Sequence, residues 1–147
     1  MGLGTDAELL AMVGAGVDMF DCVLPTRLAR NGTALTSGGR LSLRRAAHRD
    51  DVRLIEEGCP CPACAGGFTR AYLRHLFSAG EILAHRLLSL HNLTHLGVLM
   101  NGARAAIAGG RFADYRRDVL AGLAGGPDSP PALFIARARG LRYTPAP

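Results

Sequence analysis

The sequence contains no lysine: all 17 of its basic residues are arginine, set against 12 acids for a formal charge of +5. Whatever the surplus positive charge binds, it binds through guanidinium groups, planar forks that pair bidentately with phosphate oxygens. A nucleic-acid partner fits that bias, although genome base composition can produce it too. Long apolar runs are also missing. None approaches the ~18–20 residues of a membrane helix, and the opening MGLGTDAELL lacks the basic and apolar regions of a secretion signal. The expectation is a cytoplasmic protein with no membrane partner. Charged residues make up only 20% of the 147 and hydrophobic ones 48%, which excludes disorder throughout and suits one compact domain.

What is present divides the chain into four stretches. In the first, residues 1–32, Thr5 and Glu8 have capping-box spacing, and Leu9, Leu10, Val13 and Val17 follow at helical intervals until Gly14 and Gly16. The run Val17–Leu24 (VDMFDCVL), ended by Pro25, has the length of one buried strand, and PTRLARNG after it reads as a loop. A helix feeding a buried strand is half of an α/β repeat, and Asp21 stands near the strand's carboxyl end, where such folds place their chemistry. Residues 33–92 begin with alternation around Gly38 and Gly39, a predicted hairpin. The cysteine cluster follows, then a long helix from about Thr69 carrying Tyr72, Leu76, Ala79, Leu83, Leu87 and Leu90. Residues 93–124 hold two more predicted helices, one with Leu93, Leu96, Met100, Ala103 and Ile107, the other over about Phe112–Leu120. Residues 125–147, rich in proline, glycine and arginine, read as a flexible tail.

Cys59, Cys61 and Cys64 form C-x-C-x-x-C, while Cys22 stands alone. Without a secretion signal such a cluster reads as metal-binding before it reads as disulfide. Three thiolates supply three corners of a zinc tetrahedron and a fourth ligand must come from elsewhere, with His91 and His95 as the two candidates. Pro60 and Pro62 stiffen the loop and lower the entropy lost on closing it around a metal. The bland alternative is a set of buried thiols that bind nothing. Three thiolates and an imidazole close the coordination shell, so the metal would be structural.

A carboxylate in an apolar strand is costly unless paired or used. Asp21 is therefore either a nucleophile or general base, or half of a buried ion pair with Arg27 or Arg30. Asp18 has the opposite strand parity and reads as a capping or pairing residue. Arg27 and Arg30 could grip phosphates or base edges beside a reacting centre, or simply be solvated. Phe68, Tyr72 and His75 read either as core or as an interface patch.

Together, GVDMFDCVLPTRLARNG at Gly16–Gly32, the cysteine cluster at Cys59–Cys64 and LHNL at Leu90–Leu93 resemble the carboxyl-terminal part of a bacterial tRNA-guanine transglycosylase, also called queuine tRNA-ribosyltransferase. The resemblance runs from Met1 to about Leu120. It implies an α/β chain that is the last part of a (β/α)8 barrel with an inserted zinc-binding subdomain. It also implies exchange of the wobble guanine of tRNA anticodons for a 7-deazaguanine base, in queuosine biosynthesis. By the resemblance Asp21 is the nucleophile that attacks the ribose C1′, and Met1 and Gly2 begin a segment lining the base pocket. Thr26, Arg27 and Arg30 contact the tRNA anticodon loop, Cys59, Cys61, Cys64 and His91 bind Zn2+, and Phe68, Tyr72 and His75 lie at a homodimer contact. A whole barrel needs about 250 residues. The chain is therefore expected to be an incomplete barrel, inactive alone, that works when the missing barrel half is supplied as another chain. A non-catalytic zinc-binding RNA module, or an inactive remnant, is the alternative.

Overall fold

The structure, a computed structural model, describes residues 2–127. Thr5 caps helix α1 (Asp6–Gly14): its hydroxyl accepts from the Glu8 amide, and the Glu8 carboxylate accepts from the Thr5 amide at 3.0 Å. The buried strand expected over Val17–Leu24 is not formed. Val17, Met19 and Val23 are exposed, and Leu24 already begins α2 (Leu24–Arg30). A strand exists only through its ladder, and among the described residues the long-range backbone bond of this segment is the one from the Gly2 amide to the Asp21 carbonyl, 3.1 Å. PTRLAR is helical rather than loop because Pro25 occupies the first turn, where an amide would have no partner anyway, and Asn31 and Gly32 form the turn that follows.

The hairpin forms as its alternation predicts, with β1 (Thr33–Thr36) antiparallel to β2 (Gly39–Ser42) and Leu35 opposite Arg40. It is the sole sheet among the described residues, which are otherwise helical. A 3-10 turn (Ala46–His48) and the short α3 (Pro62–Ala65) follow. The helix expected from Thr69 through Leu90 is two helices, α4 (Arg70–Ala79) and α5 (Ile82–Ala108). The leucine spacing runs through the break, but Gly80 is left-handed (φ 73°), a conformation open to glycine that stops α4. Conversely, no break separates Leu90 from Leu93, so α5 runs for 27 residues. The last helix, α6 (Phe112–Ala124), is longer than expected, and nearly all of the tail from residue 125 lies outside the described residues. No helix among the described residues is long and apolar enough to cross a membrane.

Two apolar cores meet along α5. The first gathers Ala29, Leu41, Leu43, Ile55, the three clustered cysteines, Leu73, Leu87 and Leu88; the second gathers Leu9, Leu10, Leu99, Ala103 and Val119. Asn92 fastens the first core to its surroundings. Its Oδ1 accepts from the Leu35 amide at 2.8 Å, and its Nδ2 donates to the carbonyls of Pro25 and Thr33 at 2.9 and 3.0 Å.

Candidate metal centre and nucleophile segment

Cys61 is the N-cap of α3, so its sulfur accepts from the Cys64 amide at 3.3 Å while Pro62 sets the first turn. This brings Cys59, Cys61 and Cys64 around one point, and α5 delivers His91 to it. The imidazole Nδ1 lies 3.7, 3.3 and 3.6 Å from the three sulfurs, and the four ligand atoms lie within 4.8 Å of one another, all buried. A zinc tetrahedron with bonds of about 2.0–2.3 Å has edges in the same range. The donor set fits such an ion in its second nitrogen as well: His91 Nε2 donates to the Leu35 carbonyl at 2.8 Å, which fixes the tautomer that leaves Nδ1 free to ligate. So close together the thiols cannot all ionise. Hydrogen bonds from Cys59 and Cys64 draw Cys61 down to a thiolate, with His91 adding to the effect. The same contact with Cys61 pushes Cys59 far up. Cys64 is drawn down by Cys59, but Cys61 and burial outweigh this and lift it to about 12. A divalent cation replaces the two protons that this arrangement retains.

The approach to the knuckle is braced by Asp51 and Arg70. Arg70 donates to the carbonyls of Leu54 and Ile55 at 2.8 and 3.2 Å, and Leu54 bridges to Thr69. Arg53 holds the Asp51 carboxyl well below the usual carboxylate range, with His48 assisting from 3.0 Å. Of the two histidines left open by spacing, His91 joins the cysteines. His95, one turn further along the same face, is engaged instead by Asp6 and Glu56.

Asp21 is exposed and makes no ion pair with Arg27 or Arg30, so the buried-pair alternative does not hold. Its backbone is held by Gly2, and it borders an open cleft of about 490 Å³ together with Leu3, Met12, Val17, Met19 and Phe20. Met1 lies outside the described residues. Thr26, half-buried, turns its hydroxyl back to the Val23 carbonyl at 3.1 Å, while Arg27 and Arg30 project from α2 into solvent. Phe68 stacks on Tyr72 with ring centroids 5.8 Å apart; Tyr72 and His75 are exposed rather than core. Sequence reasoning missed Asn92 and the Asp6–His95–Glu56 group. The available signal was three polar residues, at 91, 92 and 95, on one side of a helix that is otherwise leucine and alanine where buried.

A family model described as queuine tRNA-ribosyltransferase matches residues 1–124. The chain belongs to that family. Similar proteins, each named queuine tRNA-ribosyltransferase, include that of Sorangium cellulosum, 56% identical over 117 residues, which covers 80% of this chain and 30% of that protein. The Solidesulfovibrio magneticus protein is 53% identical over 121 residues, 82% of this chain and 32% of the other. That of Xylella fastidiosa strain M12 is 50% identical over 140 residues, 95% and 36%. The chain thus spans about a third of the length of the curated relatives it matches, in their carboxyl-terminal part.

Proposed function

We propose that this chain supplies the nucleophile segment and the zinc subdomain of a tRNA-guanine transglycosylase. The observation that carries the reading is the match over residues 1–124, with Asp21 exposed at a cleft. In this reading an Asp21 oxygen bonds to the ribose C1′ of the wobble nucleotide as the glycosidic bond breaks, its electron pair leaving with guanine. The covalent ribosyl ester then yields to a 7-deazaguanine base, whose ring nitrogen gives up its proton and forms the new glycosidic bond as the Asp21–C1′ bond breaks, the electron pair returning to the carboxylate. The proton released balances the one that the departed guanine takes up. The logic is that of a retaining glycosidase. Arg27 and Arg30, in consecutive turns of α2, are suited to phosphates and base edges of the anticodon loop. Gly2, bonded to the Asp21 backbone, begins the wall of the base pocket with Met1.

Zinc held by Cys59, Cys61, Cys64 and His91 would be structural: the shell is closed, so the ion supplies rigidity and no open position for substrate. It ties the knuckle to α5, whose Asn92 in turn holds the Pro25 carbonyl of α2, the helix that carries the arginines. The rest of the barrel, as further polypeptide or a second chain, completes the pocket. Tyr72, Phe68 and His75 supply a homodimer contact.

The test is exchange of labelled guanine into tRNA by the purified chain, alone and with the complementary barrel segment, with zinc quantified on the same sample. Exchange in the mixture, lost in Asp21→Ala while the melting temperature is unchanged, is the expected result. No exchange in either sample would sink the enzymatic reading for this chain.

A further inference from the structure

Helix α5 passes through both cores, with Ala84, Leu87 and Leu88 in one and Leu99 and Ala103 in the other. Between them its buried residues are polar. His91 and Asn92 are accounted for by the metal cluster and the hairpin; His95, 1% exposed, belongs to neither. Its Nε2 donates to Asp6 Oδ2 at 2.7 Å, and its Nδ1 lies 3.8 Å from Glu56 Oε2. Both carboxylates are themselves buried, at 5% and 6%. Asp6 comes from α1 on the second core, whereas Glu56 stands three residues before Cys59 and accepts from the Ser37 amide through its other oxygen at 2.7 Å.

Apolar side chains would fill this junction with less desolvation, because buried ions are no better than well-packed hydrocarbon for stability alone. What an ion pair adds is direction. Apolar burial is non-directional, whereas a 2.7 Å bond between a ring nitrogen and one carboxylate oxygen fixes both a distance and an angle. From Asp6 a short line of contacts leads to the cleft. Thr5 and Gly4 donate to the Glu8 carboxylate, and the Cys22 sulfur packs against Gly4 so closely that a Cβ there would collide with it. Cys22 also reaches the Gly2 carbonyl at 3.7 Å, and Gly2 holds Asp21.

We propose that Asp6, His95 and Glu56 form an ionic joint between the two cores, which sets where α1 and the Gly2–Asp21 pairing stand relative to the metal knuckle. His95 is one helical turn beyond the ligand His91, and Glu56 leads directly into the ligand Cys59, so the joint is anchored on both sides of the cluster. His95 is then a positioning residue. Its importance for exchange rests on the reading of Asp21 as nucleophile, but the joint itself does not.

Cys22, half-exposed, reports on the joint because its sulfur lies against Gly4 and the Gly2 carbonyl, in the segment that the joint positions. The full chain, saturated with zinc so that Cys59, Cys61 and Cys64 are protected, is alkylated with iodoacetamide and the modified residue followed by intact mass and peptide mapping. Asp6→Asn and His95→Gln are each expected to speed alkylation of Cys22 at least tenfold while one zinc per chain is kept. Leu99→Ala, which loosens the second core without touching the joint, is expected to melt earlier yet leave the Cys22 rate within about twofold. An unchanged rate in both joint variants overturns the proposal. So does an increase matched by Leu99→Ala, or one seen only together with zinc loss. Failure to take up zinc in the unaltered chain sinks the metal reading and leaves the joint to be judged on the Cys22 rate.

Discussion

His95 is enclosed between two carboxylates, so its proton is part of the folding equilibrium. Burial opposes charge on the ring, but Asp6 and Glu56 prevail and lift its pKa from 6.5 to about 9. Tyr115, pushed up by burial and by Asp6, stays neutral nearby. A group with a raised folded pKa stabilises fully below its unfolded value and loses that contribution as pH climbs through the folded one. Stability from His95 is therefore complete below about pH 6.5 and gone above about pH 9, a span worth on the order of 3 kcal/mol. Metal binding by thiolates tightens in the opposite direction. The measurement is accordingly the urea midpoint of the zinc-saturated chain minus that of His95→Gln; this difference should shrink from pH 6 to pH 9.5, and a constant difference would refute the charge on the ring. Cys61→Ser should cost far more. It removes the sulfur central to the cluster, and structural zinc contributes on the order of 10 kcal/mol, so metal analysis and thermal melting should show loss of both zinc and the cooperative transition. At this scale the cysteines were legible because their spacing is local. Spacing alone did not choose between His91 and His95, since both face one side of α5; the resemblance chose His91, and in the structure His95 is engaged instead by Asp6, 89 residues away, and Glu56.

Among the elements, α5 depends on two glycines in different ways. Gly97 has open space where a Cβ would go, so Gly97→Ala should stabilise by about 0.5–1 kcal/mol through helix propensity. Gly102 lies under the Tyr115 ring, whose hydroxyl donates to the Leu99 carbonyl at 2.8 Å; a Cβ there meets both ring and hydroxyl. Gly102→Ala should displace α6 and cost about 1–3 kcal/mol. Paired thermal melts of the two variants, shifting in opposite directions, check both statements. The hairpin and the helical stretches could be read from alternation and from three-to-four spacing. The break at Gly80 could not, because the leucines keep their period across it, and neither could α2, whose proline looked like a loop signal and is instead a first-turn residue. The strand expected at Val17–Leu24 fails for a more general reason: apolar composition describes half of a pairing, and the other half must be present.

For the molecule as a whole, that missing half is visible as surface. Met19 is 87% exposed, and with Leu3 and Val17, also open, it forms an apolar flank along the cleft of Asp21. In the proposed reading, this flank is buried against the remaining barrel. Met19→Glu should leave the melting temperature of the chain alone unchanged and abolish its association with the complementary barrel segment, as followed by size-exclusion chromatography. Equal association by the variant would place the contact elsewhere. A two-stranded sheet offers edges to which a second copy could add a strand, and on its β1 side the hairpin does not permit it. The outer amide and carbonyl of Leu35, where a third strand would dock, are already taken by Asn92 and by the far nitrogen of His91. The ligand histidine thus closes the sheet edge that faces the metal cluster, and a single pair of neighbouring helix residues makes β1 a terminus rather than a template.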